Sequence, residues 1–124
     1  MSQVQRPRTA AAWLPGTWRS NRRKTVAGWI WPPGKKGAAF RRIMEPAFGK
    51  LTFRYTKKRV YWRFDTPKFS YTPYRIVWSN SDTVFLVSGE KASESGLLLH
   101  FVSKDEFWVH AGRGIEWFRR RAGA

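Results

Sequence analysis

Between Leu51 and Phe64 the side chains alternate so regularly that one arrangement accounts for them: two antiparallel strands joined by a turn at Lys57 and Lys58. With that turn, Leu51 falls opposite Phe64, Phe53 opposite Trp62 and Tyr55 opposite Val60, which gives one wholly apolar or aromatic face. The other face carries Thr52 with Arg63 and Arg54 with Tyr61. A slip of one residue would mix the two sets, so the register is strongly specified. The hairpin presents one face to a core and offers arginine and tyrosine to water, to an anionic partner or to an enclosed space.

The rest of the chain repeats the theme. Residues 1–12 are polar, basic and alanine-rich without apolar periodicity, and are expected to form a mobile basic arm ahead of one domain spanning 13–121. A first strand is expected from Thr17 towards Trp31, stopped by Pro32, Pro33 and Gly34. Phe40, Ile43 and Met44 recur at helical spacing before Pro46, which predicts a short helix near residues 37–45. Asp65 to Pro73 reads as a loop in which Phe69 and Tyr71 alternate. Beyond it Tyr74 to Trp78 and Thr83 to Val87 form a hairpin, with Ile76 opposite Phe85 and Val77 opposite Val84. After a polar loop from Gly89 to Gly96, Leu97 to Val102 pairs with Phe107 to Ala111, and Gly112 with Arg113 turns the chain into Ile115 to Arg119. The connections are too short for crossover helices. The expected fold is all-β: eight antiparallel strands in sequence order, closing into a small barrel, with the helix between strands one and two.

Charge speaks to partners. Lys and Arg number 24 against 8 Asp and Glu, a formal net charge of +16, and the first carboxylate in the chain is Glu45. Such asymmetry suits a polyanion, either nucleic acid or an anionic membrane surface, and equally suits a merely solvated exterior. There is no Cys, which excludes disulfides and thiolate metal sites. No apolar run approaches the ~20 residues of a membrane helix, and the first residues hold no apolar signal core, so a cytoplasmic protein is expected.

Catalytic chemistry finds little support. The two histidines are expected on opposite faces of the sheet, His100 across from Val109 and His110 beside Leu99 and Ile115, where they cannot share a metal. Phosphate loops, nucleophile elbows and paired carboxylates are missing from the sequence, and the reading is of a non-enzymatic protein that needs no cofactor. Of the eight Trp, nine Phe and four Tyr, most are explained by a core, including Trp62, Trp78, Phe85, Trp108 and Trp117. The interior is accordingly expected to be mostly filled.

The Gly16-Thr17-Trp18 motif on the first strand, the meander and an arginine among Arg119, Arg120 and Arg121 on the last strand together resemble the calycin superfamily of lipocalin-like barrels. In that family the motif's tryptophan packs at the barrel base under an arginine of the final strand. Phe48-Gly49-Lys50-Leu51, with the ending Glu116-Trp117-Phe118-Arg119-Arg120, is also similar to small bacterial lipocalin-like proteins of unassigned function. The resemblance covers residues 14–121 and implies the barrel more than any activity.

Two functions follow from the same residues. The first is a module that engages nucleic acid through a basic surface. Its contacts are Arg22, Arg23 and Lys24; Lys35, Lys36, Arg41 and Arg42 around the helix; and Lys57 and Lys58 at the hairpin turn, with Arg54, Tyr61 and Arg63 as a stacking face. The alternative is a carrier that holds a small anionic or amphipathic ligand inside the barrel through Arg54, Arg63, Arg75 and Tyr61. Arginines directed outward favour the first, and arginines lining a pocket favour the second.

Overall fold

A computed structural model describes residues 9–89, 94–111 and 114–121. Eight strands run in sequence order and close into one antiparallel barrel: β1 (Gly16–Ser20), β2 (Leu51–Tyr55), β3 (Arg59–Phe64), β4 (Ser70–Ser79), β5 (Thr83–Ser88), β6 (Ser95–Ser103), β7 (Glu106–Ala111) and β8 (Gly114–Arg121). Closure pairs β1 with both β2 and β8. The β2–β3 hairpin has the expected register, from Leu51 with Phe64 to Tyr55 with Val60. The polar loop at 90–93 and the turn at 112–113 lie outside the described residues, as do residues 1–8 of the expected arm.

The lower half of the barrel is solid. Trp18, Phe107, Phe118, Leu86, Leu99 and Val84 are fully buried, and Trp18 meets Phe107 edge-on at 4.7 Å. Thr9 to Ala12, expected in the arm, instead enter this base: Ala10–Trp13 is a 3₁₀ turn, Ala10 N–H donates to the Asn80 carbonyl at 2.8 Å, and Ala10 and Leu14 are fully buried. Arg120 seals the end. Its guanidinium lies 4.2 Å over the Trp18 ring and donates to the carbonyls of Trp13, Pro15 and Lys104. Gly16 has φ +138°, and a Cβ there would come within 2.5 Å of Arg120 Nη1, which explains glycine at the head of the Gly-Thr-Trp motif.

The first strand is shorter than the sequence suggests. It ends at Ser20, and residues expected to continue it form α1 (Arg22–Gly28), whose Asn21 side chain caps the helix by accepting from Lys24 N–H at 3.2 Å. Tertiary contacts supply the reason. The short β1 leaves the start of β8 unpaired on one edge, and α1 fills the gap: Asn21 N–H donates to the Trp117 carbonyl at 2.7 Å, and Trp117 N–H donates to the buried Thr25 hydroxyl at 3.0 Å. The expected helix is α2 (Gly34–Met44). Trp29, Trp31 and Phe48 cluster around the two helices, with Trp29 and Phe48 rings 4.7 Å apart. Nearby, Gly49 N–H donates to Ser20 Oγ, which donates in turn to the inward Glu116 carboxylate at 2.7 Å.

Two bulges overturn sequence-based pairings. Between Ile76 and Trp78 the register shifts, so Ile76 lies opposite Leu86 and Trp78 opposite Phe85, rather than Ile76 opposite Phe85 and Val77 opposite Val84. A second shift between Phe101 and Ser103 puts His100 opposite Trp108 instead of Val109. The neighbours of Phe85, Trp108 and Trp117 are buried at Val84, Leu86, Phe107, Val109 and Phe118, so those three aromatics face outward. Trp78, opposite Phe85, does too and is 52% exposed. Of the five aromatics expected in the core, only Trp62 faces the interior.

Candidate polyanion interface

On the hairpin, Tyr55 and Val60 are buried and Phe53, Tyr55, Val60 and Trp62 line the barrel interior. The pleat therefore sends Arg54, Tyr61 and Arg63 outward. Closure extends this face in both directions. One row runs directly across five strands: Arg121 on β8, Thr17 on β1, Arg54 on β2, Tyr61 on β3 and Tyr71 on β4. Beside it runs a second row of Arg119, Arg19, Thr52 and Arg63. At the usual spacing of about 4.8 Å between strands, the longer row spans about 19 Å.

The aromatic end of this wall is ordered by its arginines. Tyr61 and Tyr71 rings are 5.6 Å apart, Arg59 lies 5.5 Å over Tyr71, and Arg63 stacks 4.5 Å above Phe69. At the other end Arg19 and Arg119 stand directly opposite each other, an unfavourable juxtaposition for like charges. One carboxylate relieves it: Asp65 accepts two bonds from Arg19, at 2.7 and 3.0 Å. Asp65 takes φ 56° at the end of β3 to do so.

Other cations expected in the interface are distributed unevenly. Arg22 shares a depression of about 400 Å³ with Arg19, Arg119 and Arg121, so the start of α1 joins the wall. Arg23 lines a neighbouring depression with Arg22, Val26, Ala27 and Glu45. Lys24 bonds Glu106 at 2.7 Å and lies 4.6 Å over Trp117. Arg41 bonds Glu45 at 2.8 Å and lies over Trp31. Lys35, Lys36 and Arg42 are exposed on α2, and Lys57 and Lys58 are exposed at the turn. Sequence reasoning missed Arg19, Arg59, Arg119, Arg121 and Tyr71. The available signal was parity: once Arg120 covers Trp18, its two neighbours must face out.

The barrel interior is chemically different. Its upper half holds an open cavity of about 370 Å³, lined by Leu51, Phe53, Trp62, Phe64, Leu86 and Leu97 among others, with Thr72, Ser88 and Ser95 as polar members. The expected filling thus holds below and not above. Among the described residues no arginine lines the cavity. Arg75, opposite the outward Val87, lies outside and pairs with Glu94 at 3.3 Å. Arg54, Arg63 and Arg75 do not project inward as the carrier reading required, and Tyr61 is outward with them. Burial, with Tyr74 nearby, holds the Tyr55 phenol well above its usual pKa, so it stays neutral.

The histidines share one outer face, contrary to expectation. His100 stacks on Trp108 at 4.0 Å, and His110 lies 6.0 Å from His100 and 5.3 Å from Trp108. Burial first, then His110, lowers the His100 pKa, and Asp82 opposes them. Among the described residues no group of three His, Cys, Asp or Glu is placed to hold a metal, and no helix is long and apolar enough to cross a membrane. Comparison with protein-family models, curated proteins and solved structures finds no match to the chain.

Proposed function

We propose that the protein is a non-enzymatic module that binds nucleic acid on the outer wall of β8, β1, β2, β3 and β4. The observation that carries this reading is the alignment of outward arginines in two cross-strand rows, the longer ending on Tyr61 and Tyr71 and the other on Arg63. Guanidinium groups at strand spacing suit successive phosphates, and neighbouring tyrosines suit unstacked bases, so single strands are preferred to duplex. Nothing in this arrangement reads base edges, and weak sequence preference follows. A cytoplasmic setting and kinship with calycins belong to the same proposal, the latter supported by Trp18 beneath Arg120.

The test is binding of single-stranded and duplex oligonucleotides across a salt series. Affinity should fall steeply with salt and be lost on reversing charge along the rows. Absence of binding at low salt would end the reading. The upper cavity supports a second one, a carrier of a small apolar molecule, because its lining among the described residues is mostly apolar and without arginine. Among the described residues an anionic ligand would have no counter-charge there. Binding of an uncharged apolar fluorophore, abolished by Leu97→Trp while oligonucleotide binding persists, would support the carrier role.

A further inference from the structure

Within the basic wall, one small depression differs from the open surface around it. Thr17, Arg19, Thr52, Arg63 and Arg121 line a hollow of about 120 Å³, far more than one water requires. Thr17 and Thr52 are more than nine-tenths buried, at 8% and 5% exposure. Two polar atoms of the lining residues, Thr17 Oγ1 and Arg63 Nε, are buried without a hydrogen-bond partner among the described residues. Unpaired buried donors are costly and uncommon. Both belong to residues that surround the hollow, where three guanidinium groups already concentrate positive charge.

The geometry points to a built oxyanion pocket that takes a phosphate group. The inference rests on the nucleic-acid reading and narrows it to one anchoring phosphate. A carboxylate offers two oxygens in a plane, whereas donors arriving from β8, β1, β2 and β3 match a tetrahedral acceptor with several oxygens. Arg63 is held by its stack on Phe69, so one of the three guanidinium groups is positioned in advance, while Arg19 pairs with Asp65, whose carboxylate competes with the anion for it. Arg121 completes the rim. The two threonines form the floor, and on binding small turns of the side chains bring Thr17 Oγ1 and Arg63 Nε to the phosphate oxygens and give them the partners they lack.

The probe is inorganic phosphate, compared with chloride at equal ionic strength, on the full chain. Phosphate should raise the thermal midpoint beyond the chloride value by mass action, and titration calorimetry should show a single site. Thr17→Val keeps the side chain's shape and should weaken phosphate roughly tenfold, as should Arg63→Met. Both variants should retain the wild-type circular dichroism. Phosphate should also compete with a single-stranded oligonucleotide, which identifies the nucleic-acid backbone as the source of the bound group. If phosphate binds and oligonucleotides do not, the pocket stands and the nucleic-acid function falls. If oligonucleotides bind while phosphate acts no differently from chloride, or while Thr17→Val and Arg63→Met bind phosphate as the wild type does, the pocket is wrong and the wider basic face remains.

Discussion

Opposite walls of this barrel are built on the same pleat and differ almost completely in what they show to solvent. The wall of β8, β1, β2 and β3 presents Arg119, Arg121, Arg19, Arg54 and Arg63. The wall of β4 to β7 presents Trp78, Phe85, Leu98 and Trp108, with Trp78 and Leu98 exposed. The inward residues are equivalent: Trp18, Phe118 and Val60 behind the first wall, Val84, Leu99 and Phe107 behind the second, all buried. Core burial accounts for the fold on both sides, and the outward residues are free to serve other ends. On the basic wall they carry a cost, with Arg19 facing Arg119 and two buried polar atoms unpaired among the described residues, which an anion would offset.

The largest effect should come from reversing that wall. A triple variant, Arg54→Glu, Arg63→Glu and Arg121→Glu, is expected to weaken single-stranded oligonucleotide binding by roughly a hundredfold, about 2.8 kcal/mol. The paired variant Trp78→Ser with Leu98→Ser should leave affinity unchanged in the same fluorescence anisotropy titration. Equal losses in the two would erase the functional distinction between the walls.

Next in size is the contrast between adjacent arginines of β8. Arg120→Met removes the stack on Trp18 and the bonds to Trp13, Pro15 and Lys104, and should cost about 2 kcal/mol in chemical denaturation. Arg121→Met, facing outward, should change stability by less than about 0.5 kcal/mol while weakening oligonucleotide binding. A smaller effect of opposite sign is expected at Asp65. Asp65→Asn retains a residue suited to the left-handed backbone and frees Arg19, so affinity should rise by about threefold at low salt while the exposed ion pair's contribution, about 0.5 kcal/mol, is lost. A fall in affinity would mean that Asp65 positions Arg19 rather than competing with the ligand.

The smallest effects are in pH dependence, where the apolar wall has its own signature. The folded pKa of His100 is lowered from 6.5, so its stabilising contribution is present above pH 6.5 and is lost as pH falls through the lowered value. His100→Gln should flatten that part of the thermal stability profile. Glu116 has the opposite sense, because burial raises its pKa from 4.5 against the Ser20 hydrogen bond. Its favourable contribution is full below pH 4.5 and disappears as pH rises through the raised value. Glu116→Gln should therefore gain stability relative to the wild type at pH 7, and that advantage should shrink towards pH 4.

The β2–β3 hairpin was fully legible because its information is local: a two-residue period, a lysine turn and an unmixed apolar set leave one register, and Leu51 to Phe64 adopts it. The same locality made the eight-strand meander and α2 readable. It also placed Arg54, Tyr61 and Arg63 on one face, although not on which side of the barrel wall. Bulges at Val77 and Val102 were hidden, since an extra residue in one strand is settled by packing against its partner. Each reverses the parity beyond it, which is why Trp78 faces solvent and His100 joins Trp108 and His110. α1 was hidden for a related reason: its residues have no strong apolar period, and the groups that hold it, Trp117 N–H and carbonyl, lie on the adjoining β8, far along the chain. Barrel closure is the longest-range event of all. It brings Arg119 and Arg121 beside Thr17 and Arg19 across some hundred residues of chain, and no periodicity in either segment encodes the basic rows that their meeting creates.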